Sequence, residues 1–209
     1  MITVIGNLKG GTGKSTVTFN LAVWLALNDH SIKVFDLDPQ ATLSDVGDIR
    51  EEDEYEPIIS ISSSLDDLQP SELSKSDEVL IDIGTADTES MKKAIALTDR
   101  IIIPVPPSQA DIWSTQRFIK MVVDICGQDN MPQMLGFVNR ADTHKGVRET
   151  GEAEDALKIL PHIDLIGTRL YQRTTYRRSF SEGLAVFELE PKGKAAAEVN
   201  KFASMVYPE

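Results

Sequence analysis

The sequence predicts a single α/β domain of the P-loop type, with a mostly parallel central sheet flanked by helices on both faces. Three observations predict it. Short apolar runs alternate with helix-length segments along the chain, the pattern of parallel strands joined by crossover helices. A glycine-rich loop, "NLKGGTGKST", leaves the first apolar run and opens the first helix-like run. Asp, Asn, Gly and Pro collect where the apolar runs stop, and in an open parallel sheet ligands bind at the carboxyl ends of the strands. A length of 209 residues suits one domain with a substantial core.

The elements follow in order. "ITVIG" is the first strand, and Lys14 to Asn28 is a helix apolar on most faces, hence buried. "IKVFDLD" and "EVLIDIG" are the next two strands. Between them, residues 45–78 read as an irregular crossover with a short strand near Ile58–Ile61. "RIIIPVP" is a fourth strand, ended by Pro104, Pro106 and Pro107. Asp111 to Cys126 forms a helix with Gly127 as its C-terminal stop. "QMLGFVN" is a fifth strand, Arg148 to Leu160 a helix halted before Pro161, and "IDLIG" a sixth strand. Helices near Thr175–Glu182 and Lys194–Val206 complete the chain.

Composition narrows the function classes. Hydrophobic residues make up 41% and charged residues 26%, ordinary for a soluble globular protein. No apolar run reaches the ~18 residues that span a bilayer. "MITVIGNLKGG" lacks the basic and small-residue marks of a signal peptide, so a cytoplasmic location is expected. The single cysteine, Cys126, supports no internal disulfide or iron–sulfur site and reads as a small buried hydrophobe. His30, His144 and His162 stand apart from other ligand types and read as surface or loop residues. A net charge of −12 argues against wholesale coating of nucleic acid or anionic membrane. The charge is uneven, however. "DVGDIREEDEYE" is strongly acidic, whereas "RLYQRTTYRR" carries four arginines and no acid.

The strand ends carry the chemistry. Gly10, Gly11 and Gly13 let the backbone around Thr12 curl so that several N–H groups face phosphate oxygens, and the next helix adds its positive N-terminus. Lys14 would reach the β- and γ-phosphates, Ser15 would bind Mg²⁺ and Thr16 would touch the α-phosphate. After the second strand, "DLDPQ" points Asp36 and Asp38 the same way. After the third, Asp82 ends an apolar strand, the Walker-B pattern of a carboxylate serving Mg²⁺. Acids beside a phosphate site repel the ligand unless a cation or water intervenes. The loop departs from G-x-x-x-x-G-K-[ST] in having Leu8 at the first glycine position, and it has a second lysine, Lys9.

"KGGTGKST", "DLDPQ", "VLIDIG" and "RIIIPVPPS" in this order and spacing resemble the ParA/MinD superfamily of deviant-Walker ATPases, over Met1 to at least Glu188. The stretches "IIIPVPPSQADIWST" and "QRTTYRRSFSEGLAVFE" look like the small, ParF-like ParA proteins. The resemblance implies that Lys9 is the signature lysine. It would cross a two-fold interface to the phosphates bound by a partner, so that two ATP molecules are sandwiched in a homodimer. It implies catalytic roles for Lys9, Lys14 and Asp38, metal roles for Ser15, Asp36 and Asp82, and a switch hinge at Gly84. "VNRAD" places Asn139 and Arg140 at a strand end compatible with adenine binding. "DIGTAD" lacks the Pro-Pro pair that many ParA proteins have after this acid.

What such a switch attaches to is read from the remaining chain. Iron–sulfur relatives need interface cysteines, and one Cys126 does not supply them. Ala195, Ala196, Val199, Phe202, Ala203 and Val206 form a helical stripe that reads as core packing rather than a MinD-like membrane face. Arg169, Arg173, Arg177 and Arg178 are expected to contact DNA phosphates non-specifically, the alternative being salt bridges to the acidic surplus. The expected function is a Mg²⁺-dependent, slow ATPase. Its ATP dimer would coat non-specific DNA of the nucleoid and position a cargo with a ParB-like adaptor that stimulates hydrolysis, with no membrane involved. Rivals are a nucleotide-sensing regulatory module with little hydrolysis, a MinD-like membrane-surface ATPase, and a carboxylate-activating ligase of the same P-loop class.

Overall fold

The computed structural model describes residues 1–68, 78–144 and 146–208. Its strands are β1 (Ile2–Ile5), β2 (Ile32–Asp36), β3 (Ile61–Ser62), β4 (Glu78–Asp82), β5 (Arg100–Val105), β6 (Gln133–Val138) and β7 (Asp164–Leu165). Among the described residues the helices are α1 (Lys14–Leu27), α2 (Thr42–Glu52), α3 (Thr88–Leu97), α4 (Gln109–Cys126), α5 (Glu149–Lys158), α6 (Thr174–Ser181), α7 (Val186–Leu189) and α8 (Lys194–Val206).

The sheet order is β3-β2-β4-β1-β5-β6-β7, and every pairing is parallel. The central strands β4, β1 and β5 are almost wholly buried, as near-continuous Val/Ile/Leu runs require when helices cover both faces. One core unites α1, α2 and α8 under residues such as Phe19, Leu43 and Phe202; the other unites α3, α4 and α5 under Met91, Phe118 and Leu157. The order reverses at β1, which lies between β4 and β5. That switch point opens the crevice in which open α/β sheets bind ligands. Register sharpens it: Ile5 lies opposite Asp82, and Asp82 opposite Asp36, so three strand ends meet there.

Three expectations change. Much of the acidic stretch is regular: α2 turns Leu43, Val46 and Arg50 inward, while Asp45, Asp48, Glu51 and Glu52 face solvent. The apolar positions at spacings of three and four sufficed for a helix despite the charge. The short strand falls at Ile61–Ser62, not Ile58–Ile61, and residues 69–77 of the crossover lie outside the described residues. Cys126 is half-buried rather than buried, with Sγ 3.7 Å from the Ile95 carbonyl. The predicted stripe on α8 is core: all six residues are buried. Among the described residues no helix is long and apolar enough to cross a membrane.

Candidate functional site

The loop between β1 and α1 is shaped by two glycines in the left-handed region, Gly11 at φ 74° and Gly13 at φ 94°, a conformation that glycine adopts freely. Gly13 is constrained twice, because a Cβ there would lie 2.4 Å from the Asn139 amide nitrogen. It forms the N-cap of α1, and no side chain caps the helix. The first-turn N–H groups therefore remain for a ligand, at the positive end of a 14-residue helix. Lys14 is buried. Burial pulls its ammonium below the usual lysine value, while Asp82 and Asp38 favour the charged form.

Two asparagines hold this loop. The Asn139 amide donates to the Thr12 carbonyl at 2.6 Å, so this residue, expected at the base, also braces the loop. Asn7 escaped the sequence reading, since no glycine or charge marks it. Its buried amide donates to the Pro104 carbonyl and Thr115, and its oxygen accepts from Ser114 and from the Lys9 backbone. The loop is thereby bolted to β5 and α4.

The three acids take different roles. Asp82 is fully buried, and neither carboxylate oxygen has a hydrogen-bond partner of good geometry. Burial raises its carboxyl to about 7, although Ser15 and Lys14 nearby favour the charged form. A buried carboxylate without a partner, beside a serine hydroxyl, suits a divalent cation. Among the described residues no three His, Cys, Asp or Glu cluster into a protein-only cage.

Asp36, expected as a metal ligand, is engaged elsewhere. One oxygen accepts from the Ser44 N–H at 2.9 Å and its hydroxyl at 3.0 Å; the other accepts from the Asp38 N–H at 3.1 Å. It caps α2, whose own N-cap residue, Ala41, has no side-chain acceptor. Asp38 is half-buried and accepts from the Gln40 N–H. Gly84 packs against it so closely that a Cβ would sit 2.8 Å from its Cα.

Lys9 projects outward, its side chain 44% exposed, and its Nζ lies 2.9 Å from Asp111 Oδ2 at the start of α4. Asp111 is buried, also accepts from Ser108, and has its other oxygen without a partner. Within its own chain Lys9 thus pairs with an acid on α4, whereas the acids acting on Lys14 are Asp82 and Asp38.

Beside Gly13 and Thr16 a cavity of about 350 Å³ runs between α1, α6 and α8; Arg140, Tyr171, Tyr176 and Arg177 are among the residues lining it. The four arginines expected on DNA part company. Arg169 pairs with Glu154, and Arg173 with Glu198 at 2.5 Å, so the acidic surplus claims both. Arg178 pairs with Glu190 at 3.2 Å, with both groups well exposed. Arg177 is exposed on the cavity rim without an ion pair among the described residues.

Residues 3–186 match the family described as the CobQ/CobB/MinD/ParA nucleotide binding domain. A curated relative, the maintenance of carboxysome distribution protein A of Halothiobacillus neapolitanus, is 27% identical over 210 residues, covering 98% of this chain and 95% of that protein. Among solved structures, apo McdA of Cyanothece superposes with a TM-score of 0.80 at 18% identity, covering 98% of each chain. The MinD of Pyrococcus horikoshii, complexed with Mg-ADP, does so with a TM-score of 0.75 at 20% identity, covering 99% of this chain and 95% of that one.

Proposed function

The chain belongs to the CobQ/CobB/MinD/ParA nucleotide-binding domain family, and on that premise we propose that it is a Mg-ATP-dependent dimerisation switch that positions or partitions a cargo. The observation that carries this reading is the separation of two lysines. Lys14 is buried inside the loop, where it serves the chain's own nucleotide, together with the N–H groups of residues 10–16. Lys9 points outward, and its ammonium pairs with Asp111. A second subunit bringing a γ-phosphate to that face would draw Lys9 off Asp111. Burying so many phosphate charges between subunits demands cations from both sides.

Ser15 and Asp82 would hold Mg²⁺, which supplies charge neutralisation on the phosphates. Asp36 has no metal role in this reading, because one oxygen caps α2 and the other accepts from the Asp38 N–H. Asp38 orients the attacking water, a positioning role of the kind on which phosphoryl transfer depends. Gly84 keeps Asp38 in place by close packing. DNA contact falls to Arg177 and Arg178, since a surface pair such as Arg178–Glu190 exchanges at little cost. A ParB-like adaptor would stimulate turnover and release the dimer from cytoplasmic nucleoid DNA. The carboxysome-distribution name of one relative supports a protein assembly as cargo, alongside plasmids.

The test is phosphate release by the full chain with and without Mg²⁺ and non-specific DNA. Slow, Mg²⁺-dependent turnover is expected, lost in Lys14→Ala together with nucleotide binding. Asp38→Ala is expected to keep ATP binding and stop turnover. Unchanged turnover in Lys14→Ala would overturn the assignment.

A further inference from the structure

Behind one wall of the cavity stands Glu198, on α8. It does not line the cavity, yet its carboxylate, 12% exposed, organises three residues that do. It accepts from the Tyr171 N–H at 3.2 Å, from Arg173 Nε at 2.8 Å and Nη2 at 2.5 Å, and from the Tyr176 hydroxyl at 3.3 Å. Arg173 in turn lies over the Tyr171 ring, 5.2 Å from its centroid, a cation–π distance. Residues 171–173 belong to no strand or helix. An isolated bridge joins Tyr171 to Ala141, the Tyr171 side chain packs partly against the apolar core, and Glu198 supplies the hydrogen bonds that orient the segment. A carboxylate at this depth is tolerated because charge-assisted hydrogen bonds compensate its lost hydration.

The cavity starts beside Gly13 and Thr16, at the end of the loop where a nucleotide bound by its phosphates would extend its sugar and base. Its size lies in the range of small-molecule sites. We infer that Glu198 is a positioning residue for nucleotide binding: it sets the wall of Tyr171, Arg173 and Tyr176 against which the base and ribose rest, and it takes no part in holding the phosphates. The inference depends on the nucleotide reading of the loop and adds to it a residue remote in sequence, on a helix whose cavity-facing residues, Val199 and Phe202, are core.

The experiment compares a ligand that fills loop and cavity with one that fills the loop alone. Calorimetric titration of the full chain with ADP and with pyrophosphate, both with Mg²⁺, supplies that comparison. Glu198→Gln is expected to weaken ADP about tenfold, ~1.4 kcal/mol, and to leave pyrophosphate unchanged. Tyr176→Phe, which removes one of the hydrogen bonds, is expected to weaken ADP about threefold (~0.65 kcal/mol) with the same pyrophosphate affinity. A Glu198→Gln protein that binds ADP as tightly as the parent, or that loses both ligands in equal proportion, overturns the inference. Should Glu198→Gln fail to fold, unchanged ADP affinity in Tyr176→Phe overturns it. A parent chain that binds neither ligand removes the nucleotide reading itself, a different failure from either.

Discussion

At Asp82 the cost of burial and the proposed need for a cation meet in one side chain. Its carboxyl is raised from 3.8 to about 7, so the folded, ligand-free chain takes up a proton that the unfolded chain lacks between these values. The sign follows: the contribution of Asp82 to stability is greatest below about pH 4, falls as pH rises through the window, and is least above about pH 7. The full span is roughly 4 kcal/mol. Asp82→Asn should remove this slope, matching the parent near pH 4 and exceeding it by about 2–4 kcal/mol at pH 8. Urea unfolding of the nucleotide-free protein at both pH values measures it, and an Asn variant with the parent's slope would contradict the argument.

The lysines make a second prediction at this scale. Lys9→Ala should bind ATP but fail to dimerise, a loss of about a thousandfold if one member of a buried charge pair is worth ~4 kcal/mol. Asp111→Ala should still dimerise, since it removes the tether and not the cation. Sedimentation with ATP distinguishes them, and a Lys9→Ala protein that still dimerises would mean that this lysine acts within its own chain. The loop and the strand-end acids were legible because glycines, lysines and aspartates at fixed spacing have few other uses. Asn7 and Glu198 were not, because each acts through partners far away in sequence, at Thr115 and Tyr171, whose proximity only the fold creates. The contact of Asp36 with Ser44 was hidden for the same reason: nothing in "DLDPQ" announces that Ser44 will turn back to it.

At the scale of elements, the strands were legible because buried parallel strands are nearly uninterrupted apolar runs. Helix α2 was hidden by its charge. Its anchor is Arg50, fully buried, which forms two hydrogen bonds with Glu188 at 2.9 Å each and donates to the Pro57 and Gly183 carbonyls. Gly183 has φ 67°, and a Cβ there would lie 2.8 Å from the Arg50 nitrogen. A buried arginine in an acidic helix reads from sequence as a solvated charge; the fold makes it the pin joining α2 to the α6–α7 turn. Glu188→Ala would strand that cation and should cost ~3 kcal/mol or more, lowering Tm by roughly 6–12 °C for a chain of this size. Its affinity for ADP should stay near the parent's. A melting temperature within 2 °C of the parent, about 1 kcal/mol at most, would show that water reaches Arg50.

For the whole molecule, the proposed dimerisation and DNA contact would be coupled by avidity, since two weak patches on one particle bind far better than either alone. Arg177→Ala with Arg178→Ala should leave the ATP-dependent dimer intact and abolish the DNA shift. Arg169→Ala should leave DNA binding near the parent's, because that guanidinium is spent on Glu154. A double variant that still shifts DNA would move the nucleic-acid face elsewhere on the surface.

The outward acids of α2 give this coupling an unexpected dependence on electrolyte. Each subunit carries a net −12, so two of them approach against long-range repulsion, which added salt screens. Contact with DNA has the opposite dependence, weakening steeply as salt rises. If the chain dimerises and binds DNA as proposed, dimer formation should therefore climb with ionic strength while the dimer's hold on DNA declines, and the amount of protein on DNA should pass through a maximum rather than fall steadily.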